Sequence, residues 1–216
     1  VKPSIHAGGA GARFTIHVPR QATVDRVTTS NGSIRVHDVA RAAHLKSSNG
    51  SIKVENVNGD LDAHTSNSSI DADGVRGSVA LRTSNGRIHA ENIDGQCEAQ
   101  TTNSSIAVRM DSAVTSPLKL TTSNGSIDLT LTKPPKSDVR AETSNSSITV
   151  RLPADVAAHV TADTSNSSIS SDFDLGSRDD DRPKKHHLEG TIGSGGPNIE
   201  LTTSNGRIRI VKGNGD

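Results

Sequence analysis

The sequence contains almost no aromatic residues. Trp and Tyr are absent, and Phe14 and Phe173 are the only phenylalanines in 216 residues. Leu, Ile, Val and Phe together make up about a fifth of the chain, which is near the level found in disordered proteins. Such a chain cannot fill a wide core, and it offers no aromatic platform for stacking sugar rings. These absences favour a narrow core of the kind that stacked repeats form.

The chain also lacks an excess of charge of either sign. Its 24 Lys and Arg residues balance 24 Asp and Glu residues, and the sequence pI is about 7.3. A neutral chain has no overall field to attract nucleic acid or anionic lipid, so a nucleic-acid partner is not expected. Cys97 is the only cysteine, which excludes an intrachain disulfide.

No apolar run is long enough to cross a membrane, and no secretory signal is recognisable. The chain opens at Val1 rather than Met. We interpret this start as a sign of upstream sequence, in which a signal or anchor would be sought.

What the chain does have is a hexapeptide repeat of the form Thr-Ser-Asn-Gly/Ser-x-Ile. Successive copies begin 18, 18, 18, 18, 21, 21, 21 and 39 residues apart, and Asn and Ile are present in all nine. The copies are Thr29–Ile34, Ser47–Ile52, Thr65–Ile70, Thr83–Ile88, Thr101–Ile106, Thr122–Ile127, Thr143–Ile148, Thr164–Ile169 and Thr203–Ile208.

Apolar residues recur at fixed places around each copy. They stand two and four residues before it and two residues after its Ile; Asp25 and Ser171 are the exceptions. Period-two alternation predicts strands with one buried face, and glycines such as Gly59, Gly77 and Gly95 mark corners. We therefore predict an all-β, single-domain parallel β-helix (solenoid) with 18–21 residues per coil. The usual crossover rule favours right-handed winding.

Other repeat architectures fit less well. An α-solenoid needs a 3.6-residue apolar period, and a β-propeller needs about 40 residues per blade. Left-handed hexapeptide helices keep strict multiples of six, which the 21-residue spacings break.

The solenoid is expected to span the whole chain. Residues 1–20 are predicted to be an N-terminal cap or a truncated coil, 21–170 regular coils, 171–197 an excursion loop, and 198–216 the final coil. The 39-residue gap equals one 18-residue and one 21-residue coil, so we interpret it as a coil lacking the hexapeptide.

Three segments carry a family resemblance. They are FTIHVPRQATVDRVTTSNGSI, ITVRLPADVAAHVTADTSNSSI and the ending LEGTIGSGGPNIELTTSNGRIRIVK. With the repeats, they resemble a family of bacterial TSNG-type β-strand-repeat proteins designated adhesins. The resemblance covers nearly the whole chain. It implies a right-handed parallel β-helix, a cell-surface or periplasmic setting and no catalytic residues.

Two polar columns are the candidate site residues. The asparagines are expected to form an internal ladder of side-chain amides: Asn31, Asn49, Asn67, Asn85, Asn103, Asn124, Asn145, Asn166 and Asn205. If the Thr-Ser-Asn segment is a strand, the hydroxyls before them point outwards as a candidate binding face: Ser30, Ser48, Ser66, Ser84, Thr102, Ser123, Ser144, Ser165 and Ser204.

No catalytic, cofactor-binding or metal site is predicted. Cys97 falls in an inward column as a buried thiol. His186 and His187 are adjacent, so on a strand they point to opposite faces and make a poor metal pair.

We expect a non-catalytic structural or adhesive module of the cell envelope. The alternative is a module that binds glycans or small ligands through the outward Ser/Thr face. A carbohydrate-active enzyme ranks third, because lyases and hydrolases need clustered carboxylates and the acidic residues here are scattered. The partners considered are envelope glycans and, through the open solenoid ends, further copies of the chain.

Overall fold

Alternating strands and sharp corners make up the chain from Val24 onwards. The computed structural model describes residues 24–175 and 186–213, and every regular element in these ranges is a β-strand. The predicted N-terminal cap or truncated coil at residues 1–20, and residues 176–185 of the predicted excursion, lie outside these ranges.

Nineteen strands are present in the described part of the chain. They are β1 Val24–Thr29, β2 Ile34–Val39, β3 Ala43–Ser47, β4 Ile52–Asn58, β5 Leu61–His64, β6 Ile70–Arg76, β7 Val79–Arg82, β8 Ile88–Asp94, β9 Cys97–Gln100, β10 Ile106–Met110, β11 Leu118–Thr121, β12 Ile127–Leu131, β13 Val139–Glu142, β14 Ile148–Leu152, β15 Ala158–Thr164, β16 Ile169–Ser171, β17 His187–Ile192, β18 Asn198–Thr203 and β19 Ile208–Lys212.

The strands form two sheets that share one core. Each hexapeptide joins a strand of a ten-stranded sheet, which we call sheet A, to a strand of a nine-stranded sheet, which we call sheet B. Neighbouring strands are parallel, apart from the antiparallel pair β15 and β17. This arrangement confirms the predicted all-β parallel solenoid. Parallel pairing gives the backbone of each inner coil a partner on both sides.

The isoleucines of the repeat meet inside. Ile106 pairs in register with Ile88 on one side and Ile127 on the other, and all three are fully buried. The apolar columns predicted from the sequence line the same core. Asp25 breaks its column because β1 contains a bulge, which places Val24 opposite Ala43 instead.

The sheet B strands of the 18-residue coils bend before they end. Asp38, Asn56, Gly74 and Asn92 occupy this bend within β2, β4, β6 and β8, each with a φ between 53° and 67°. Asn, Asp and Gly tolerate this left-handed region best, which explains their presence at this position.

The last coil does not stand at the end of the stack. Strand β18 lies between β13 and β15 in sheet A, and β19 lies between β14 and β16 in sheet B. The coil made of β18 and β19, which we call the inserted coil, therefore fills a space between the seventh and eighth hexapeptides. The interpretation of the 39-residue gap as a coil lacking the hexapeptide is wrong.

Part of that gap instead forms β17. This strand runs antiparallel to β15 from Ala158↔Ile192 to Asp163↔His187, so it covers the edge of sheet A. An exposed parallel edge invites association with other strands, and an antiparallel neighbour removes those free hydrogen-bonding groups.

Candidate functional site

The hexapeptide forms a corner rather than the middle of a strand. In the central coils, the strand of sheet A ends just before the Thr, and the Ser, Asn and Gly/Ser residues form a bend. The expectation that a strand runs through Thr-Ser-Asn is therefore wrong. The bend turns the Ser and Asn side chains away from the core, along one outer edge of the solenoid.

The first residue of the hexapeptide is buried, although it is polar. From Ser47 onwards this position is at most 6% exposed in every copy. Each hydroxyl donates to the backbone carbonyl of the fourth hexapeptide residue in the preceding coil; for example, Thr101 Oγ1 lies 3.0 Å from the Gly86 oxygen. A buried hydroxyl needs such a partner, so this column joins the corners from the inside. The sequence analysis missed this role, although the near-invariant Thr was visible.

The hexapeptides with Gly at the fourth position make one further hydrogen bond. In these copies the glycine N–H donates to the Thr or Ser hydroxyl of its own corner, as Gly86 does to Thr83 Oγ1 at 3.2 Å. The same bond is present at Gly32, Gly50, Gly125 and Gly206. The copies with Ser at this position show no such bond, so the corners have two geometries.

These two geometries alternate in space. In stacking order, the fourth residues are Gly32, Gly50, Ser68, Gly86, Ser104, Gly125, Ser146, Gly206 and Ser167. The alternation from Gly50 onwards holds only because Gly206 of the inserted coil stands between Ser146 and Ser167. A Cβ added to Gly206 would lie 1.6 Å from the Ser146 carbonyl oxygen, so this contact requires glycine.

The nine asparagines form one continuous ladder. Each Nδ2 donates to the Oδ1 of the neighbouring coil at 2.7–2.8 Å, in the order Asn31, Asn49, Asn67, Asn85, Asn103, Asn124, Asn145, Asn205 and Asn166. All nine side chains are exposed. The ladder therefore lies on the outside of the solenoid rather than inside it, because the bend projects these amides into solvent.

The candidate hydroxyl face lies beside this ladder. Seven of its members are exposed, whereas Ser66 and Ser123 are half-buried. The column follows a corner and not a flat sheet face. It presents one hydroxyl per coil as a narrow ridge next to the Asn amides.

The two adjacent histidines have separate partners. His186 Nδ1 contacts the Ser167 carbonyl at 2.8 Å, and His187 contacts Asp163 and Glu189. Across residues 24–175 and 186–213, no group of three His, Cys, Asp or Glu side chains is placed to hold a metal ion.

Cys97 lies in the core between Val79 and Leu118. Burial raises the pKa of its thiol to about 12, and the charge of Glu98 adds to this effect. The thiol therefore stays protonated at neutral pH and cannot act as a nucleophile.

We expect a thiol reagent to leave the native chain unlabelled at pH 8, because the reacting species is the thiolate and the site is closed to solvent. Absorbance of the released chromophore measures the labelling. The same chain in denaturant provides the control and should take up one equivalent. Rapid, complete labelling of the native chain would contradict the assignment.

The outer face of sheet A carries charges that are sorted by position. The residue before each hexapeptide is Lys46, His64 and Arg82 on β3, β5 and β7, but Glu142 on β13 and Asp163 on β15. The column therefore has a basic end and an acidic end.

The basic end borders a shallow concavity of about 670 Å³, which we call the basic groove. It is lined by Arg26, Thr28, His44, Leu45, Lys46, Asp62, His64 and Arg82. Sites for small ligands are typically roughly 300–1,000 Å³, so the groove is of sufficient size to hold part of a ligand.

Comparison with known proteins gives one family match. The family model described as Toastrack DUF4097 matches residues 11–211. No curated protein and no solved structure matches the chain. The matching family is of the β-solenoid repeat type and has no assigned function, and it is not a known enzyme family.

Proposed function

The chain belongs to the Toastrack DUF4097 family, and from this premise we propose that it is a non-catalytic structural and adhesive module of the cell envelope. The observation that supports this role most directly is the unbroken stack. Nine hexapeptides share one apolar core and one outer amide ladder, and eight of them share one buried hydroxyl column. Such a body holds its surface groups at a fixed spacing of about 4.8 Å per coil.

A fixed spacing of surface groups suits binding to a repetitive partner better than it suits catalysis. The outer corner repeats one Ser or Thr hydroxyl and one Asn amide at each coil, so a linear partner meets equivalent contacts along this edge of the solenoid. Catalysis instead needs ionisable groups converging on one point, with pKa values shifted towards their task. The buried Cys97 thiol has a strongly raised pKa, but it faces the core and meets no substrate.

The envelope setting follows from the family resemblance of the sequence. None of the described elements is a helix of the length and apolarity needed to cross a bilayer.

The test is co-sedimentation of the purified chain with isolated envelopes of the source organism. We expect the folded chain to pellet with the envelopes and to leave their polysaccharide chain length unchanged. A heat-unfolded sample controls for trapping. A chain that remains in the supernatant would refute the adhesive role, and shortened polysaccharide would refute the non-catalytic one.

The alternative function is glycan binding through the hydroxyl ridge, and the exposed row of one hydroxyl per coil is the observation in its favour. The variant Ser66→Lys, Ser84→Lys, Ser123→Lys separates the two. Loss of envelope binding by this variant would favour the ridge, whereas unchanged binding would place the contact elsewhere on the surface.

A further inference from the structure

The basic groove is built from a row of basic side chains on consecutive strands. Lys46 of β3 pairs in register with His64 of β5, and His64 pairs with Arg82 of β7. The three residues therefore follow one another at the strand spacing of about 4.8 Å. Arg26 of β1 and His44 of β3 lie beside this row and complete the lining.

The lining has an excess of positive charge. Arg26, Lys46 and Arg82 contribute three positive charges, and Asp62 of the lining and Glu98, which pairs with Arg82, contribute two negative charges, so one positive charge is in excess. Asp62 lies 3.9 Å from His44 Nδ1, and Arg82 pairs with Glu98 at 2.9 Å.

Lys46 differs from these residues. Within the part of the chain that the structure describes, it forms no ion pair with a carboxylate. Lys46 and Arg82 lie two strands apart on the same face, so their positive charges repel each other weakly, and an anion placed between them would be attracted to both.

The far end of the same face shows that this sheet can neutralise its charges. Arg140 of β13 bonds to Glu142 on its own strand and to Glu200 of β18, the latter at 2.9 Å. The pKa of Arg140 is raised by the hydrogen bond and the charge of Glu142 and by the charge of Glu200. In the basic groove Arg82 has one carboxylate partner, Glu98, and Lys46 has none among the described residues, which points to an anionic partner beside Lys46.

We propose that the basic groove binds a linear anionic polysaccharide, whose successive carboxylates or phosphates contact the row of Lys46, His64 and Arg82. This proposal rests on the adhesive role proposed above and names the chemistry of its partner. The row runs across the strands, along the solenoid axis, so an extended polymer can follow it from coil to coil. Arg82 has further guanidinium N–H groups besides the one that bonds to Glu98, and these can donate to a carboxylate or phosphate, while Lys46 can act as a point charge.

Two other anionic partners fit the groove less well. Single-stranded nucleic acid is usually held by aromatic side chains that stack on its bases, and the groove contains no Phe, Tyr or Trp. An anionic membrane is usually engaged by clusters of about four to eight Lys and Arg residues. The groove has three, and they line a concavity rather than a projecting patch.

The experiment measures binding of the full chain to polygalacturonate, which carries one carboxylate per sugar, by titration calorimetry at low salt. We expect the affinity to fall as the salt concentration rises. Lys and Arg side chains displace counterions from the polymer, and the release of these counterions is less favourable at high salt. The double variant Lys46→Gln, Arg82→Gln should bind at least about tenfold more weakly, since two charged contacts are lost. Neutral dextran should not bind.

A matched control is available on the same sheet. The double variant Lys119→Gln, Arg140→Gln removes one Lys and one Arg from the outer face of β11 and β13, outside the groove. It should bind polygalacturonate as the parent does. Equal weakening by both double variants would overturn the groove assignment, because overall charge would then explain the binding.

Two further ligands identify the source of the anion. Binding of a poly(glycerol phosphate) chain instead of polygalacturonate would support the groove with phosphate as the recognised group. Binding only to phosphatidylglycerol vesicles, or to none of these ligands, would overturn the proposal. If the chain pelleted with whole envelopes but bound none of the polymers, the proposal for the basic groove would be refuted and the adhesive role would be retained.

Discussion

Adding a single methyl group at Gly86 should destabilise the solenoid by about 3 kcal/mol or more. A Cβ at this position would lie 1.6 Å from the carbonyl oxygen of Ser68 and 2.2 Å from its carbonyl carbon. Both atoms belong to the backbone of the neighbouring coil, so no side chain can rotate away. The coils would have to separate, which would stretch the amide ladder and the hydroxyl contacts beside it. Equilibrium unfolding in urea of Gly86→Ala and the parent measures the loss.

The next coil provides the matched control for this substitution. Ser104 occupies the equivalent position and already carries a Cβ. The variant Ser104→Ala keeps that atom and should change the free energy of unfolding by less than about 1 kcal/mol. Equal stability of Gly86→Ala and Ser104→Ala would show that the two corner geometries are interchangeable, and the structural account of the alternation would be wrong.

Truncation of Ile106 to alanine should lower the free energy of unfolding by about 2–5 kcal/mol. Its side chain is fully buried at the centre of the stack and lies in register with Ile88 and Ile127. The two sheets are joined through their backbones, so they cannot close over the lost volume, and a cavity remains. Thermal and urea unfolding of Ile106→Ala both measure this cost.

Two variants on the same strand calibrate that measurement. Ile106→Val removes one methylene group and should cost only about 0.5–1.5 kcal/mol. Arg109→Ala changes an exposed residue of β10 and should stay within about 0.5 kcal/mol of the parent. If Ile106→Ala unfolded at the same urea concentration as Arg109→Ala, the isoleucine column would not be the core.

Most of the fold could be predicted because the repeat places the same residue types at equivalent positions in each coil. The period-two apolar columns indicate the inward positions, and the structure buries those of the central coils. Asp25 could not be placed from the sequence, since a bulge moves the column by one residue and no motif marks it. The corner at Ser-Asn-Gly is predicted as strand because Thr and Ser suit both strands and bends, and the inward Thr continues the period-two pattern of the strand before it.

The position of the inserted coil could have been found from one column. In chain order the fourth hexapeptide residues end with Ser146, Ser167 and Gly206, which breaks the alternation of the earlier copies. Placing the last copy between the other two restores it. The alternation of Gly and Ser is hard to recognise in the sequence, because both are ordinary corner residues. Their order along the stack becomes important only through the close approach of the backbones of neighbouring coils.

The candidate site was less accessible from the sequence than the fold. The asparagines could be paired with one another from their spacing, but their exposure depends on the direction of the bend. The basic groove depends on which side chains become neighbours across strands, which the chain order disperses over residues 26–82. No local motif marks a site assembled from four separate coils.

The inserted coil has a consequence for how the protein is made. A ribosome releases the chain from its N-terminus, so the first seven hexapeptides can stack as they emerge. Direct stacking of the eighth on the seventh would bring Ser167 onto Ser146, a pairing of two Ser corners that does not occur in the described stack. The closing contacts join residues 60 positions apart, such as Asn145 and Asn205. The final stage of folding therefore waits for residues 198–213 to leave the ribosome, and nascent chains halted before residue 198 would lack the coil that lies between the seventh and eighth hexapeptides.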